Sequence, residues 1–152
     1  MSGLGPWHTD DFDSMSWHDV HVHGIRFSAF NEDEGAADII LDIDYILKWE
    51  QSNNAFLFTV CPAELRFHDA CQLRLELDYL SASAGMCPFM IDGIHRELRE
   101  FATGFKSFRW HIPISWPRGS MEFEAPRFTQ RLVGKPIVHA GQSLTPEQRS
   151  VD

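Results

Sequence analysis

Between Asp38 and Trp49 the chain alternates with a period of two. Ile39, Leu41, Ile43, Tyr45, Leu47 and Trp49 fall on one face of an extended strand, and Asp38, Asp42, Asp44 and Lys48 fall on the other. Successive side chains of a strand point to opposite faces, so this rhythm requires a sheet with one buried and one wet face. It returns at Cys71–Tyr79, where Cys71, Leu73, Leu75, Leu77 and Tyr79 alternate with Gln72, Arg74, Glu76 and Asp78. Helical packing is incompatible with that pattern, so the chain is read as all-β.

Turn-forming residues divide the rest into about seven strands. These are Asp19–Phe27, Asp38–Trp49, Ala55–Cys61, Glu64–His68, Cys71–Tyr79, Phe105–Trp116 and Ser120–Ala125. Pro62 is expected to end the third, because proline brings no N–H to a ladder. The last two form a hairpin around Pro117-Arg118-Gly119. Phe89–Phe101 is ambiguous. Ile91, Ile94, Leu98 and Phe101 have helical spacing, yet Phe89-Met90-Ile91 starts like a strand and would pair with Phe105–Trp116. Strand is preferred, with a helical turn open at Glu97–Phe101. Short connections favour an antiparallel meander, and burying one face of it calls for a sandwich or a curled half-barrel with at most one or two short helices. The expected core is Trp49, Phe56, Phe58, Phe67, Leu73, Leu75, Leu77, Phe108, Trp110, Ile112 and Phe123.

The 152 residues make one β domain over 17–143, with a loose arm at 1–16 and a polar tail at 144–152. Trp7 and Phe12 are candidate anchors for the arm, and Pro146 can open a helical turn in the tail. Cys61, Cys71 and Cys87 have no C-x-x-C spacing, so neither a disulfide framework nor a zinc cluster is indicated, and a reducing, cytoplasmic setting fits. Met1–Met15 lacks the basic and apolar regions of a signal peptide. With a net charge of −9, the chain lacks the cationic surface that nucleic acid or anionic lipid demands. The same charge suits solubility and a basic protein partner.

Four segments carry a resemblance: Trp17-His18-Asp19, Leu41–Trp49, Cys61–Phe67 and Gly119–Gln130. They are similar to signature segments of a family of uncharacterised bacterial proteins, over about Trp17 to Ser143. That resemblance implies no activity and no site residues. In size, acidity and sheet pattern the chain is also similar to small immunity proteins of bacterial toxin systems, of the immunity protein 50 type.

Three functions fit these residues. The first is a non-catalytic binding module that offers an acidic sheet face, Asp42, Asp44, Glu76 and Asp78, to another protein, or that self-associates through a sheet edge. The second is a metal-binding barrel or metal-dependent enzyme. His21 and His23 share a strand face about 7 Å apart, and His18, Asp19, His68, Asp69 or His111 would complete the site. The third is a carrier of a small apolar ligand inside a curled sheet lined with Phe and Trp. Paired carboxylates also serve acid–base chemistry, and also serve as halves of salt pairs with Lys48, Arg66, Arg74 or Arg109. No nucleophile motif, phosphate loop or dinucleotide fingerprint is present, so no cofactor is indicated. The first function is the preferred reading.

Overall fold

The computed structural model describes residues 4–150. In chain order they form β1 (Trp7–His8), a 3-10 helix (Thr9–Ser14), β2 (His21–Asn31), β3 (Ala36–Ser52), β4 (Ala55–Leu77), β5 (Phe89–Ile91), β6 (His95–Glu100), β7 (Lys106–Trp116), β8 (Gly119–Ala125), β9 (Arg127–Leu132), β10 (Ile137–His139) and α1 (Pro146–Arg149). The all-β class follows. The strands belong to one sheet, and it is a ring: pairing runs β3–β4–β8–β7–β5–β2 and returns to β3, antiparallel throughout. A sandwich is therefore not formed. The meander holds for β2–β3–β4 and β6–β7–β8. The ring is closed by pairs distant in sequence, β4 with β8 and β2 with β5.

The three strands expected between Ala55 and Tyr79 are a single long strand, β4. Pro62 does not end it. The N–H and C=O of one strand residue point to the same side, and the Pro62 carbonyl accepts the Val133 N–H at 2.8 Å. The missing N–H therefore faces the gap between β10, which pairs as far as Val60, and β9, which begins pairing at Ala63. No ladder bond is lost there. The segment Phe89–Phe101 is extended, and β6 pairs with β7 from His95↔His111 to Glu100↔Lys106. The helical turn does not form.

β4 turns at 69–72. Asp69 and Gln72 have φ of 53° each, in the left-handed region that side chains seldom adopt. At this point the β3–β4 register skips from Ala37↔Ala70 to Ile39↔Phe67. Asp38 faces the extra residue. Its Oδ1 accepts the Asp69 N–H at 3.0 Å, and its Oδ2 accepts from Arg66 at 3.1 Å. Asp38 is buried, not on a wet face. Beyond the turn β4 pairs with β8, with Cys71 opposite Glu124 and Leu77 opposite Gly119.

Inside the ring, Phe67, Trp110, Phe123 and Phe128 are fully buried and touch ring to ring, with Phe67–Phe123 centroids 4.6 Å apart. Trp110 Nε1 donates to the Ala125 carbonyl at 2.9 Å, so the indole nitrogen is satisfied. These rings occupy the space that a carried ligand would need. Of the expected core, Phe58, Phe67, Trp110, Ile112 and Phe123 are buried and Phe108 and Leu77 partly so. Trp49 and Phe56 are 50% and 52% exposed, because the β3–β4 hairpin runs out past its cover at β10. Leu73 and Leu75 are partly exposed because β4 is flanked there by β8 alone.

Residues 7–14 and 137–149 pack onto the ring. Trp7 and His8 pair with Gln130 and Thr129. Phe12 lies against Trp17, Trp110 and Phe128, and the Arg96 guanidinium sits 4.2 Å above the Phe12 ring. The segment expected as a loose arm is thus built into the core from Trp7 onward, through the anchors Trp7 and Phe12; residues 1–3 lie outside the described residues. After β9 the chain adds β10 alongside β4 and then crosses the outer face of β3 and β4 as a strap. There Leu144 and Ile137 cover Ile46, Phe58 and Val60 in a second apolar cluster. The strap ends in α1, where Thr145 caps the Gln148 amide and Pro146 occupies the first turn.

Two substitutions check the ring. Asp38→Ala strands the Asp69 amide and Arg66, and should cost about 1–3 kcal/mol in urea unfolding. A Cβ on Gly119 would lie 2.1 Å from the Glu76 carbonyl oxygen. Gly119→Ala should therefore destabilise by about 1–3 kcal/mol, while Gly24→Ala, which meets nothing within 4 Å, should be neutral or stabilising.

Candidate functional site: the Asp44 cluster and the acidic end

The candidate ligands and carboxylates of β2 and β3 meet on the outer face of the ring. β2 carries a bulge here: Val22 faces Ile43 and Gly24 faces Asp42, so His23 is the extra residue. A bulge re-aims the side chain it carries, and His23 Nε2 lies 2.6 Å from Asp44 Oδ2. Ile43 on the inner face pins the register that sets Asp44 outward. The strap then covers it. The Leu144 N–H donates to Asp44 Oδ2 at 2.8 Å, Ser143 Oγ lies at 3.4 Å, and the Arg149 guanidinium binds both Asp44 and Asp42.

Asp44 is 0% exposed. Burial pushes its carboxyl upward, but the hydrogen bonds from His23 and the Leu144 amide and the charge of Arg149 outweigh it, leaving the group below its ordinary value of 3.8. His21 sits opposite Asp44 on β2. Burial lowers its imidazole below 6.5 despite the nearby Asp44 carboxylate, and its buried Nδ1 has no hydrogen-bond partner among the described residues.

These contacts correct two expectations. Asp44 cannot be presented to a partner, since the strap covers it, and Asp42 is tied to the same arginine. From Glu64, the register partner of Asp42, β4 runs through the bend at 69–72 before reaching Glu76. Glu76 pairs with Arg74 at 2.8 Å, and Asp78 lies past the end of β4, where it accepts the Leu80 N–H at 2.9 Å. Asp42, Asp44, Glu76 and Asp78 are therefore not one face. His21 and His23 are brought together, but His23 is committed to Asp44, and Arg149 fills the cationic position beside it. The remaining candidate ligands are dispersed. His18 pairs with Asp19, His68 bonds Thr129, and His111 faces His95 across β6 and β7. Among the described residues no three His, Cys, Asp or Glu side chains are placed to hold one metal ion. Cys61, Cys71 and Cys87 are free thiols.

Arg149 is the residue that sequence reasoning missed. Two like charges at Asp42 and Asp44 signal that a cation lies across them, but nothing in the spacing points to a residue more than a hundred positions away.

A second charged region lies at the β2–β3 turn. Asn31 Oδ1 accepts the amides of Asp33 and Glu34 at 3.0 and 3.3 Å, fixing the turn. Glu32, Asp33 and Glu34 are all exposed, and among the described residues none of them has an ion-pair partner. Glu34 leads into a cleft of about 430 Å³ that it shares with Asp69, Phe101, Phe105, Glu124 and Arg127.

No protein-family model matches this chain, and neither a curated protein nor a solved structure shows significant similarity to it. No helix among the described residues is long and apolar enough to cross a membrane.

The cluster makes stability pH-dependent in two windows. A lowered His21 means that the unfolded chain binds the proton first, so stability should fall as pH drops below 6.5 and level off beneath the folded value of His21. A lowered Asp44 contributes stability that is present above 3.8 and lost as pH falls through its folded value. Urea titrations across pH should show both steps. Asp44→Asn should abolish the acidic one, and Arg149→Ala should cost about 3 kcal/mol at neutral pH by leaving a buried charge unpaired.

Proposed function

We propose that the chain is a non-catalytic binding module that docks a basic protein through the acidic end at the β2–β3 turn. One observation carries this reading. Glu32, Asp33 and Glu34 are three consecutive exposed carboxylates with no ion-pair partner among the described residues, whereas Asp42 and Asp44 are both held by Arg149. Free carboxylates on a fixed turn cost little to hold in place, and they steer a cationic partner over roughly a Debye length, about 10 Å at 0.1 M salt. The net charge of −9 adds to the same field.

The test is isolation of the untagged protein from its native source at low salt, followed by native mass spectrometry. The expected result is a heterocomplex with a basic polypeptide that dissociates as salt is raised. Changing Glu32, Asp33 and Glu34 together to Gln, Asn and Gln should slow association about tenfold, with a smaller effect on dissociation. Recovery of monomer alone, or of a salt-insensitive homodimer, defeats the reading; the homodimer would redirect attention to residues 24–31 of β2, which among the described residues pair with β3 alone.

A further inference from the structure

We infer that the cleft beside the acidic turn is a receptor for one arginine side chain of the basic partner. The inference rests on the proposed function and names the chemistry of its contact. Three features of the cleft point to a guanidinium.

The first is an aromatic wall. Phe101 and Phe105 flank the β6–β7 turn with ring centroids 5.9 Å apart and planes inclined by 32°. Both are exposed. Their faces give a planar cation a surface to stack on, and guanidinium stacks where a compact ammonium does not.

The second is Glu124. It is 9% exposed, lines the cleft, and accepts no hydrogen bond among the described residues. Its one ion pair, to Arg99 Nε at 3.6 Å, is too long to be a hydrogen bond. Its oxygens are not sealed from solvent, so their lone pairs stay open to a donor that enters the cleft. A guanidinium entering the cleft would supply two parallel N–H donors to it.

The third is charge. Glu34, Asp69 and Glu124 line the cleft; Arg127 is held by Asp69 at 3.4 Å and Arg99 lies 3.6 Å from Glu124, which leaves Glu34 without an ion-pair partner among the described residues. A hard metal ion needs several oxygens converging on one point, and no such group is present among the described residues. An organic cation with a flat face suits a wall that is half phenyl and half carboxylate.

The probes are acetyl-arginine methylamide and its neutral isostere acetyl-citrulline methylamide, titrated into isotope-labelled protein and followed by amide chemical shifts. The arginine probe should give saturable shifts confined to Phe101, Phe105, Ser107 and Glu124. The citrulline probe should bind at least about tenfold more weakly, the size of a cation–π contact plus an ion pair. Glu124→Gln and Phe105→Ala should each weaken the arginine probe about fivefold or more, with the spectrum elsewhere unchanged as proof of folding. Glu122→Gln, outside the cleft, should leave binding intact. Equal binding of the two probes, shifts spread over the surface, or indifference to Glu124→Gln would overturn the inference. The two readings fail separately. A native heterocomplex unaffected by Glu124→Gln and Phe105→Ala removes the arginine receptor and keeps the binding module. Saturable arginine binding with no native partner does the reverse.

Discussion

The hydrogen bond from the Asp69 amide to the Asp38 carboxylate fixes the start of the corner on which the ring is built, and Arg109 donates to the Gln72 carbonyl at its far side. Before that corner β4 lies between β3 on one side and β9 and β10 on the other. After it β4 belongs to β8. An L-residue resists the left-handed conformation that Asp69 adopts, so the backbone must be held there by a partner of fixed position. Asp38 is such a partner because Arg66 holds its second oxygen. Without the corner β4 would continue straight, β8 would have no edge to meet, and the aromatic interior would stand open.

The outer face obeys the same logic with longer reach. Ile40 and Ile46 share that face of β3 with Asp42 and Asp44, and both are buried. Such a face cannot be left wet. The strap covers its apolar part with Ile137 and Leu144 and its charged part with Arg149, so one segment of chain answers two different needs. Gly134 marks how closely it passes: a Cβ there would lie 2.9 Å from Pro62 Cγ.

Alternation along β3 and β4 made the all-β class legible, along with the inner face at Ile39, Leu41, Ile43 and Tyr45 and the hairpin of β7 and β8. What stayed illegible depends on partners distant in sequence. Pro62 reads as a stop until the gap between β9 and β10 is known. Asp38 and Asp44 read as solvent-facing because charge outweighs position in a one-dimensional pattern, and only the third dimension brings Arg66 and Arg149 to them. The joining of three strands into β4 was hidden by that proline and by the turn at Asp69, both of which resemble breaks. The acidic turn is plain in the sequence as Glu32-Asp33-Glu34, but its cleft is not, since Phe101, Phe105 and Glu124 come from three further elements.

The pairing of β1 with β9 bears on the order in which the molecule assembles. Trp17 reaches Gln130, and Thr9 reaches Phe128, across 113 and 119 residues of chain. Hairpins such as β3–β4 and β7–β8 close short loops and form fast; the seam at the N-terminal segment closes a loop that contains nearly everything else. Until it shuts, Trp110 and Phe128 lack the cover of Phe12. Closing that seam therefore costs more chain entropy than closing the hairpins, and the aromatic floor of Trp110 and Phe128 keeps its Phe12 cover only while the seam is shut.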